Sequence, residues 1–282
     1  MTNKKEQKKK KISFPHMGTI SYAWAAALRI IGCEPYVEPY TSKKSLSLGT
    51  KHAPEAICLP YKLILGNFIE AIEGGTDYVA MITSPGCCRL GEYGKCIENA
   101  LHDLGYETKY LELQLYDGIK GMYNFLKEAS GKNNPFLFGR AILIAILKVF
   151  MLDKLETQLS YYRAREIHHG DAEKHYLKSL KYIDAHDTIS GLKKAKKQVD
   201  EEMKKVEINP NKEVLYVDIT GEIYVVNDEF SNQSIEKELG RMGVQVRRSL
   251  TVSSFLKDAI IPKIFRKGET HLQRADRLAK PY

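Results

Sequence analysis

Two adjacent cysteines, Cys87 and Cys88, stand in "SPGCCRLGEYG", directly after the apolar run "DYVAMIT". Glycines and a proline surround them, so backbone amides of this loop can point at an anion. Thiolate sulfur is a soft ligand that suits zinc or iron–sulfur clusters, and nearby amides tune such clusters. No C-x-x-C pair occurs in the chain, so the spacing matches no zinc ribbon. Metal binding and a single catalytic cysteine both remain open at this point.

The other three cysteines differ in their local sequence. Cys58 lies in "EAICLPYK", shortly before a proline that favours extended backbone, where a helix has yet to begin. Cys33 follows a glycine between a predicted helix and strand, and Cys96 lies inside a predicted helix. Both are interpreted as small buried apolar residues. If a cysteine were catalytic, its base would be sought among His16, His52 and His102, without support from any local signature.

Composition narrows the class of protein. The net charge of +8 is concentrated in the first eleven residues, which carry six lysines and one glutamate. Residues 1–11 are therefore predicted to be a disordered basic tail, and nucleic-acid binding is not expected. Residues 136–152 are apolar but contain Arg140 and Lys148, which favours a buried or groove-lining helix over a membrane span. Cysteines outside any disulfide-like framework predict a cytoplasmic protein.

The elements that would position the cysteines follow an α/β pattern. Short strands and helices alternate over residues 12–117, which predicts a first unit with a mostly parallel sheet. Residues 41–60 within it are interpreted as turn-rich. Residues 118–211 are predicted to be helical, and a second α/β unit is predicted for 212–282. Ligands of parallel sheets gather at the carboxyl ends of the strands, where the cysteine loop begins.

Other binding motifs are absent from the sequence. The chain has no G-x-x-x-x-G-K-[ST] loop and no G-x-G-x-x-G after a strand, so nucleotide binding by these routes is not predicted. His168 and His169 lie in a polar helical stretch without a third ligand nearby, so both are interpreted as solvent-exposed histidines.

Several long segments resemble one family. "FPHMGTISYA", "SLSLGTKHAPEAICLPYKLILGNFIEAIEGGTDYV", "GCCRLGEYG" and "ITGEIYVVNDEFSNQSIEKELGRMGVQVRRSL" are similar to acyl-CoA dehydratase activase-related proteins, or CoA protein activases. These in turn are similar to 2-hydroxyacyl-CoA dehydratase subunits and double-cubane cluster proteins. The resemblance covers most of residues 12–127 and 212–282. It implies two Rossmann-like units and an oxygen-sensitive iron–sulfur cluster, of 4Fe–4S or double-cubane type.

The resemblance also implies particular ligands and partners. Cys58 and Cys88 match the family's cysteines, whereas Cys87 stands where relatives usually have another small residue or proline. An ATPase activator or reductase partner would supply low-potential electrons for a difficult reduction or dehydration. Whether the chain is itself a component of an ATP-dependent reductase or acyl-CoA dehydratase stays open. The alternative is a non-redox binding or scaffold module.

One departure from the family pattern affects these expectations. Relatives continue past a "PY" motif with a glycine- and histidine-rich stretch and a further cysteine, whereas this chain ends at "LAKPY". A cubane cluster commonly takes four protein thiolates, or three with one open position. The second unit is therefore expected to be incomplete. A homodimer, or another chain that supplies the missing motif, is expected to complete the site.

Overall fold

The computed structural model describes residues 9–37, 39–83 and 88–257. It is a mixed α/β protein with parallel sheets, as predicted. The chain divides into two compact units. The first comprises Met1–His16 and Trp24–Ile142, and the second comprises Met17–Ala23 and Leu143–Tyr282. Residues 1–8 of the predicted tail and residues 258–282 lie outside the described part, and Lys11 begins the first strand.

The first unit is built on four parallel strands in the order β2-β1-β3-β4. These strands are β1 (Lys11–Ser13), β2 (Glu34–Tyr36), β3 (Tyr78–Thr83) and β4 (Lys109–Gln114). The helices are α1 (Ser21–Ile31), α2 (Lys43–His52), α3 (Leu59–Glu73), α4 (Tyr93–Asp103) and α5 (Ile119–Ser130). The strand order reverses between β1 and β3. Ligands of open α/β sheets bind beyond the carboxyl ends of strands at such a switch point.

The strands of the first unit are buried as expected for a parallel sheet with helices on both faces. Ile12, Val79, Ala80 and Leu111 are almost completely buried. Trp24 of α1 stands edge-on to Phe125 of α5, with ring centroids 5.7 Å apart. These apolar contacts hold the sheet in place and so fix where the strands end.

The turn-rich interpretation of residues 41–60 is wrong for its first half, because α2 lies there. Ser42 caps this helix by accepting hydrogen bonds from two backbone amides, and Ser45 completes a capping box. A Cβ added at Gly49 would lie 1.6 Å from a carbonyl oxygen of α3, and one at Gly66 would lie 1.8 Å from the Ser45 carbonyl oxygen. Gly49, which suggested a turn, instead allows α2 to pack very closely on α3, and Gly66 of α3 does the same from the facing helix.

The longest helix is α6 (Pro135–Arg165), which contains the apolar stretch identified in the sequence. By length and composition it could cross a membrane, since an 18-residue window has a mean hydropathy of 2.0 and only 33% of it is buried. Lys148 on this helix is nevertheless fully buried. Its Nζ bonds Asp187 Oδ1 at 2.8 Å and the Asp184 carbonyl oxygen at 3.3 Å. A buried, paired lysine is consistent with the expected core helix, which remains a prediction.

Helices also dominate the first part of the second unit. Within residues 118–211, which are predicted to be helical, the charged stretch forms two helices, α7 (Asp171–Asp184) and α8 (Ile189–Met203). The break follows from Thr188, whose side chain accepts a hydrogen bond from the Gly191 amide and so begins a new helix. Both helices contribute to a core with Leu155 of α6 at its centre, together with Ile183 and Met203.

The remaining elements form the predicted second α/β segment. Strand β5 (Leu215–Ile219) pairs in parallel with β6 (Val244–Arg248). The helices are α9 (Ile223–Asn227), α10 (Ile235–Arg241) and α11 (Val252–Phe255). Leu215 and Tyr216 of β5 are 67% and 66% exposed, while Val246 of β6 is buried. The two strands of this small sheet are therefore unequally buried, and the side chains of β5 are the more exposed.

Candidate functional site

Cys58 is the residue that immediately precedes α3. Its backbone is extended, at φ −59° and ψ 148°, as is usual for the residue that precedes a helix, and Pro60 lies in the first helical turn. The Cys58 side chain makes no capping hydrogen bond and is only half-buried. The first turn of a helix has amide groups without intrahelical partners, and they favour negative charge. Cys58 presents a partly accessible thiol directly before the start of α3.

Cys88 occupies a similar position on the neighbouring segment. It precedes a 3₁₀ helix, Arg89–Glu92, that leads directly into α4, and its carbonyl oxygen accepts a hydrogen bond from the Gly91 amide at 3.3 Å. The Cys88 side chain is exposed. Cys87, the third predicted ligand, lies with residues 84–86 outside the described residues.

The starts of α3 and α4 are in contact. Tyr61, in the first turn of α3, meets Tyr93, the first residue of α4, edge to face with ring centroids 5.2 Å apart. Cys58 lies one turn before Tyr61, and Cys88 lies shortly before Tyr93. The structure thus brings the segments that carry two predicted ligands to the same edge of the sheet.

The two cysteines interpreted as packing residues behave differently. Cys33 is buried, its Sγ donates a hydrogen bond to the Ala129 carbonyl oxygen at 3.4 Å, and burial raises the pKa of its thiol. The prediction is confirmed for Cys33. It is wrong for Cys96, which is exposed on α4. Burial raises the pKa of Tyr61, and the nearby Cys96 thiol raises it further, so Cys96 lies beside the same contact between helices.

The histidines considered as bases lie at different ends of the unit. His102 is exposed in the last turn of α4, the opposite end of that helix from Cys88. A helix of this length separates its ends by roughly 15 Å, so His102 cannot act on Cys88. His52 ends α2. His16 is buried just beyond β1 and stacks on Tyr40 with ring centroids 5.1 Å apart.

A polar cluster at the end of β3 was not identified from the sequence. Thr83, the last residue of β3, donates a hydrogen bond to Glu112 Oε1, and Gln114 donates to Glu112 Oε2 at 2.8 Å. The Tyr110 hydroxyl lies nearby. Burial raises its pKa above the usual range, and Glu112 adds to this effect. The alternation of polar and apolar residues in "KYLELQ" was the available signal, since positions two apart in a strand share one face.

The described residues do not by themselves group into a metal site. Within residues 9–37, 39–83 and 88–257, no group of three or more histidine, cysteine or acidic side chains is placed to hold a metal ion. Cys58 and Cys88 fit an iron–sulfur cluster in chemical type, because both are accessible thiols at helix starts. They fit it as two ligands of a larger set.

Comparison with known families gives one match, which spans residues 16–250 and both units. The matching family is described as the CoA enzyme activase uncharacterised domain (DUF2229). The chain belongs to this family. A search of curated proteins finds no match. Membership confirms the resemblance to CoA enzyme activases inferred from the sequence motifs, and an activase in general implies a partner enzyme component.

Proposed function

We propose that this CoA enzyme activase domain carries an iron–sulfur cluster and takes part in ATP-driven, low-potential electron transfer for a difficult reduction or dehydration. The supporting observation is the placement of Cys58 and Cys88 before two helices whose first turns touch through Tyr61 and Tyr93. Both cysteines are the ligands that the family resemblance implies. The cluster, of 4Fe–4S or double-cubane type, would supply one-electron chemistry at low potential.

The chain's own residues would bind and shield the cluster. Cys58 and Cys88 would each contribute a thiolate, and the packing of Tyr61 against Tyr93 would hold together the two segments that carry them. Cys87 is a further candidate ligand, although relatives usually have another residue at its position. Remaining ligands would come from a second copy of the chain or from another chain, because a cubane commonly takes three or four thiolates.

The ATP-dependent step is assigned to a partner. The sequence has no phosphate-binding loop of either common type, so an ATPase activator or reductase would hydrolyse ATP and pass electrons on. The protein is proposed to act in the cytoplasm, where thiols stay reduced, without binding nucleic acid or a membrane. Oxygen sensitivity of the cluster would restrict it to anaerobic conditions.

Anaerobic purification with iron and sulfide analysis tests this function. The full chain should be brown and contain iron, and Cys58→Ser or Cys88→Ser should each lose most of it. Cys96→Ser is the matched control, because Cys96 is an exposed thiol on α4, the helix that follows the Cys88 segment, and has no assigned role. Cys33→Ala should also retain iron. A colourless, iron-free wild-type protein, prepared under anaerobic reconstitution, would reject the proposal.

The second candidate is a non-redox binding or scaffold module. It is favoured by the exposed side chains of Leu215 and Tyr216 on β5, since an open strand can pair with another chain. This candidate predicts an iron-free protein that is folded and forms a stable complex with its partner enzyme. Iron content therefore separates the two functions directly.

A further inference from the structure

The two-stranded sheet of the second unit has one closed edge and one open edge. On β6, the hydroxyl of Ser160 accepts a hydrogen bond from the Val246 amide at 2.9 Å and donates one to the Val246 carbonyl oxygen at 2.5 Å. The outer edge of β6 is therefore satisfied by a side chain of α6. Among the residues that the structure describes, nothing plays this part for the outer edge of β5.

The strand ladder identifies the backbone groups that are open on β5. The Ser249 amide donates a hydrogen bond to the Ile219 carbonyl oxygen at 2.9 Å, so the backbone of Ile219 faces β6. Neighbouring residues of a strand direct their backbone groups to opposite sides. The N–H and C=O groups of Tyr216 and Asp218 therefore face away from β6, and we refer to these four groups as the β5 edge.

The β5 edge lacks the usual protection of an edge strand. Edge strands avoid pairing with other chains through lysine, proline, unpaired charge or a bulge. Strand β5 contains no lysine or proline and pairs one to one with β6, without a bulge. Its single charged residue, Asp218, is bonded through both carboxylate oxygens by Arg247, at 2.7 and 2.5 Å. Leu215 and Tyr216, on opposite faces, are both about two-thirds exposed.

We propose that the β5 edge binds the β5 edge of a second copy of this chain, in antiparallel orientation. With Val217 at the two-fold axis, Tyr216 of each copy lies opposite Asp218 of the other. Residues whose backbone groups face outward are then opposite each other and exchange four hydrogen bonds between the chains. On the other face, Leu215 of each copy lies opposite Ile219 of the other, so apolar side chains meet.

The pattern of side chains favours a second copy as the occupant. A two-fold interface requires a patch that complements itself, and this register places a phenol opposite each carboxylate and no like charges opposite each other. Parallel pairing in register would instead set Asp218 beside Asp218. One short strand edge is a small interface, so we expect a dissociation constant on the order of 10 μM. The inference concerns the second unit alone and does not depend on a cluster.

Sedimentation velocity of the full chain at about 2–200 μM tests the proposal, because this range spans the expected dissociation constant. The wild type should pass from monomer to dimer. Tyr216→Asp should weaken the dimer on the order of tenfold, since symmetry places two new like-charge pairs against Asp218. Tyr216→Lys should bind at least as tightly as the wild type. Leu177→Asp and Leu177→Lys are the matched controls, at a half-exposed apolar residue of α7, and should change nothing.

Cross-linking tests the register. Residues opposite each other in a non-hydrogen-bonded antiparallel pair have Cα atoms about 4.5 Å apart, which is within the range of a disulfide. Val217→Cys should therefore give a disulfide-linked dimer on mild oxidation. Leu177→Cys should give no more linked dimer than the wild type.

Three results would overturn the proposal. The first is a wild-type chain that stays monomeric over the whole concentration range. The second is a dimer that Tyr216→Asp and Tyr216→Lys affect alike, because its interface would lie elsewhere or in another register. The third is slow hydrogen exchange of the Tyr216 and Asp218 amides in the monomer, which would assign the β5 edge to a segment of the same chain. Iron content decides the proposed function separately.

Discussion

Replacing Arg248 with methionine should be among the most destabilising single substitutions in the second unit. Its guanidinium bonds both carboxylate oxygens of Glu236, and it also bonds Glu156 Oε2 and, at 3.3 Å, Asn227 Oδ1. The side chains of Arg248, Glu156 and Glu236 are 16%, 13% and 17% exposed. Arg248→Met keeps much of the side-chain volume but leaves two nearly buried carboxylates without their cation.

The expected loss in the free energy of unfolding follows from the cost of leaving a buried carboxylate without its cation. Removing one partner of a buried ion pair destabilises a protein by about 3–5 kcal/mol, a large share of a total of roughly 5–15 kcal/mol. With a urea dependence of about 2 kcal/mol per molar, the unfolding midpoint should fall by about 1.5–2.5 M at neutral pH.

The loss should also depend on pH. Burial raises the pKa of Glu156 above its ordinary value of 4.5, and the charge of Arg248 opposes that increase. A carboxyl whose pKa is raised on folding contributes stability below its unfolded pKa and loses it as pH rises through the folded pKa. Without Arg248 the folded pKa rises further, so Arg248→Met should lose more stability at pH 7.5 than at pH 5.

Urea unfolding by circular dichroism at both pH values measures this effect. Fluorescence of Trp24, the only tryptophan, reports the first unit separately. The double variant Arg248→Met with Glu156→Gln should show less pH dependence than Arg248→Met alone, because one stranded carboxyl is gone. A loss below about 1 kcal/mol at pH 7.5, or an equal loss at both pH values, would contradict the assignment of Arg248 as the stabilising cation.

Three further substitutions have defined outcomes. Gly66→Ala should lower the thermal midpoint by several degrees, because its methyl group would overlap backbone of α2, while Gly139→Ala, with nothing within 4 Å, should be neutral or stabilising. Lys148→Met should destabilise by about 1–3 kcal/mol, and adding Asp187→Asn should recover part of the loss in a double-mutant cycle. Hydrogen bonds, first from Lys205, lower the pKa of Glu202 to about 2, so its stabilisation is present above pH 4.5 and is lost between pH 4.5 and 2. Glu202→Gln should therefore flatten the acid-unfolding curve in that range.

The α/β class could be predicted because the informative patterns are local. The apolar runs before Ser84 and within "ETKYLEL" are short, flanked by glycine or charge, and became β3 and β4. The α2 helix could not be recognised in the same way. Its serines and Gly49 have low helix propensity, and only the contact with α3, which the sequence does not display, explains why Gly49 is required there.

The break between α7 and α8 was missed for a related reason. Thr188 is a good helix-starting residue, but the surrounding charged sequence reads as continuously helical. What fixes the chain there is Asp187, whose carboxylate bonds the buried Lys148 from a distant position in the sequence. The sequence shows that Thr188 can begin a helix. It does not show that Asp187 pairs with Lys148, and that ion pair fixes the chain where α8 begins.

The candidate site shows the same division between residue type and arrangement. Cys58 and Cys88 were selected by their unusual neighbours, and the structure places both at helix starts that meet through Tyr61 and Tyr93. Nothing local distinguished Glu112, because an acidic residue in a strand is usually a solvated one. Its contact with Thr83 depends on the register between β3 and β4. Candidate thiols can thus be selected from the sequence, whereas a contact such as that between Thr83 and Glu112 emerges only once the strands are paired.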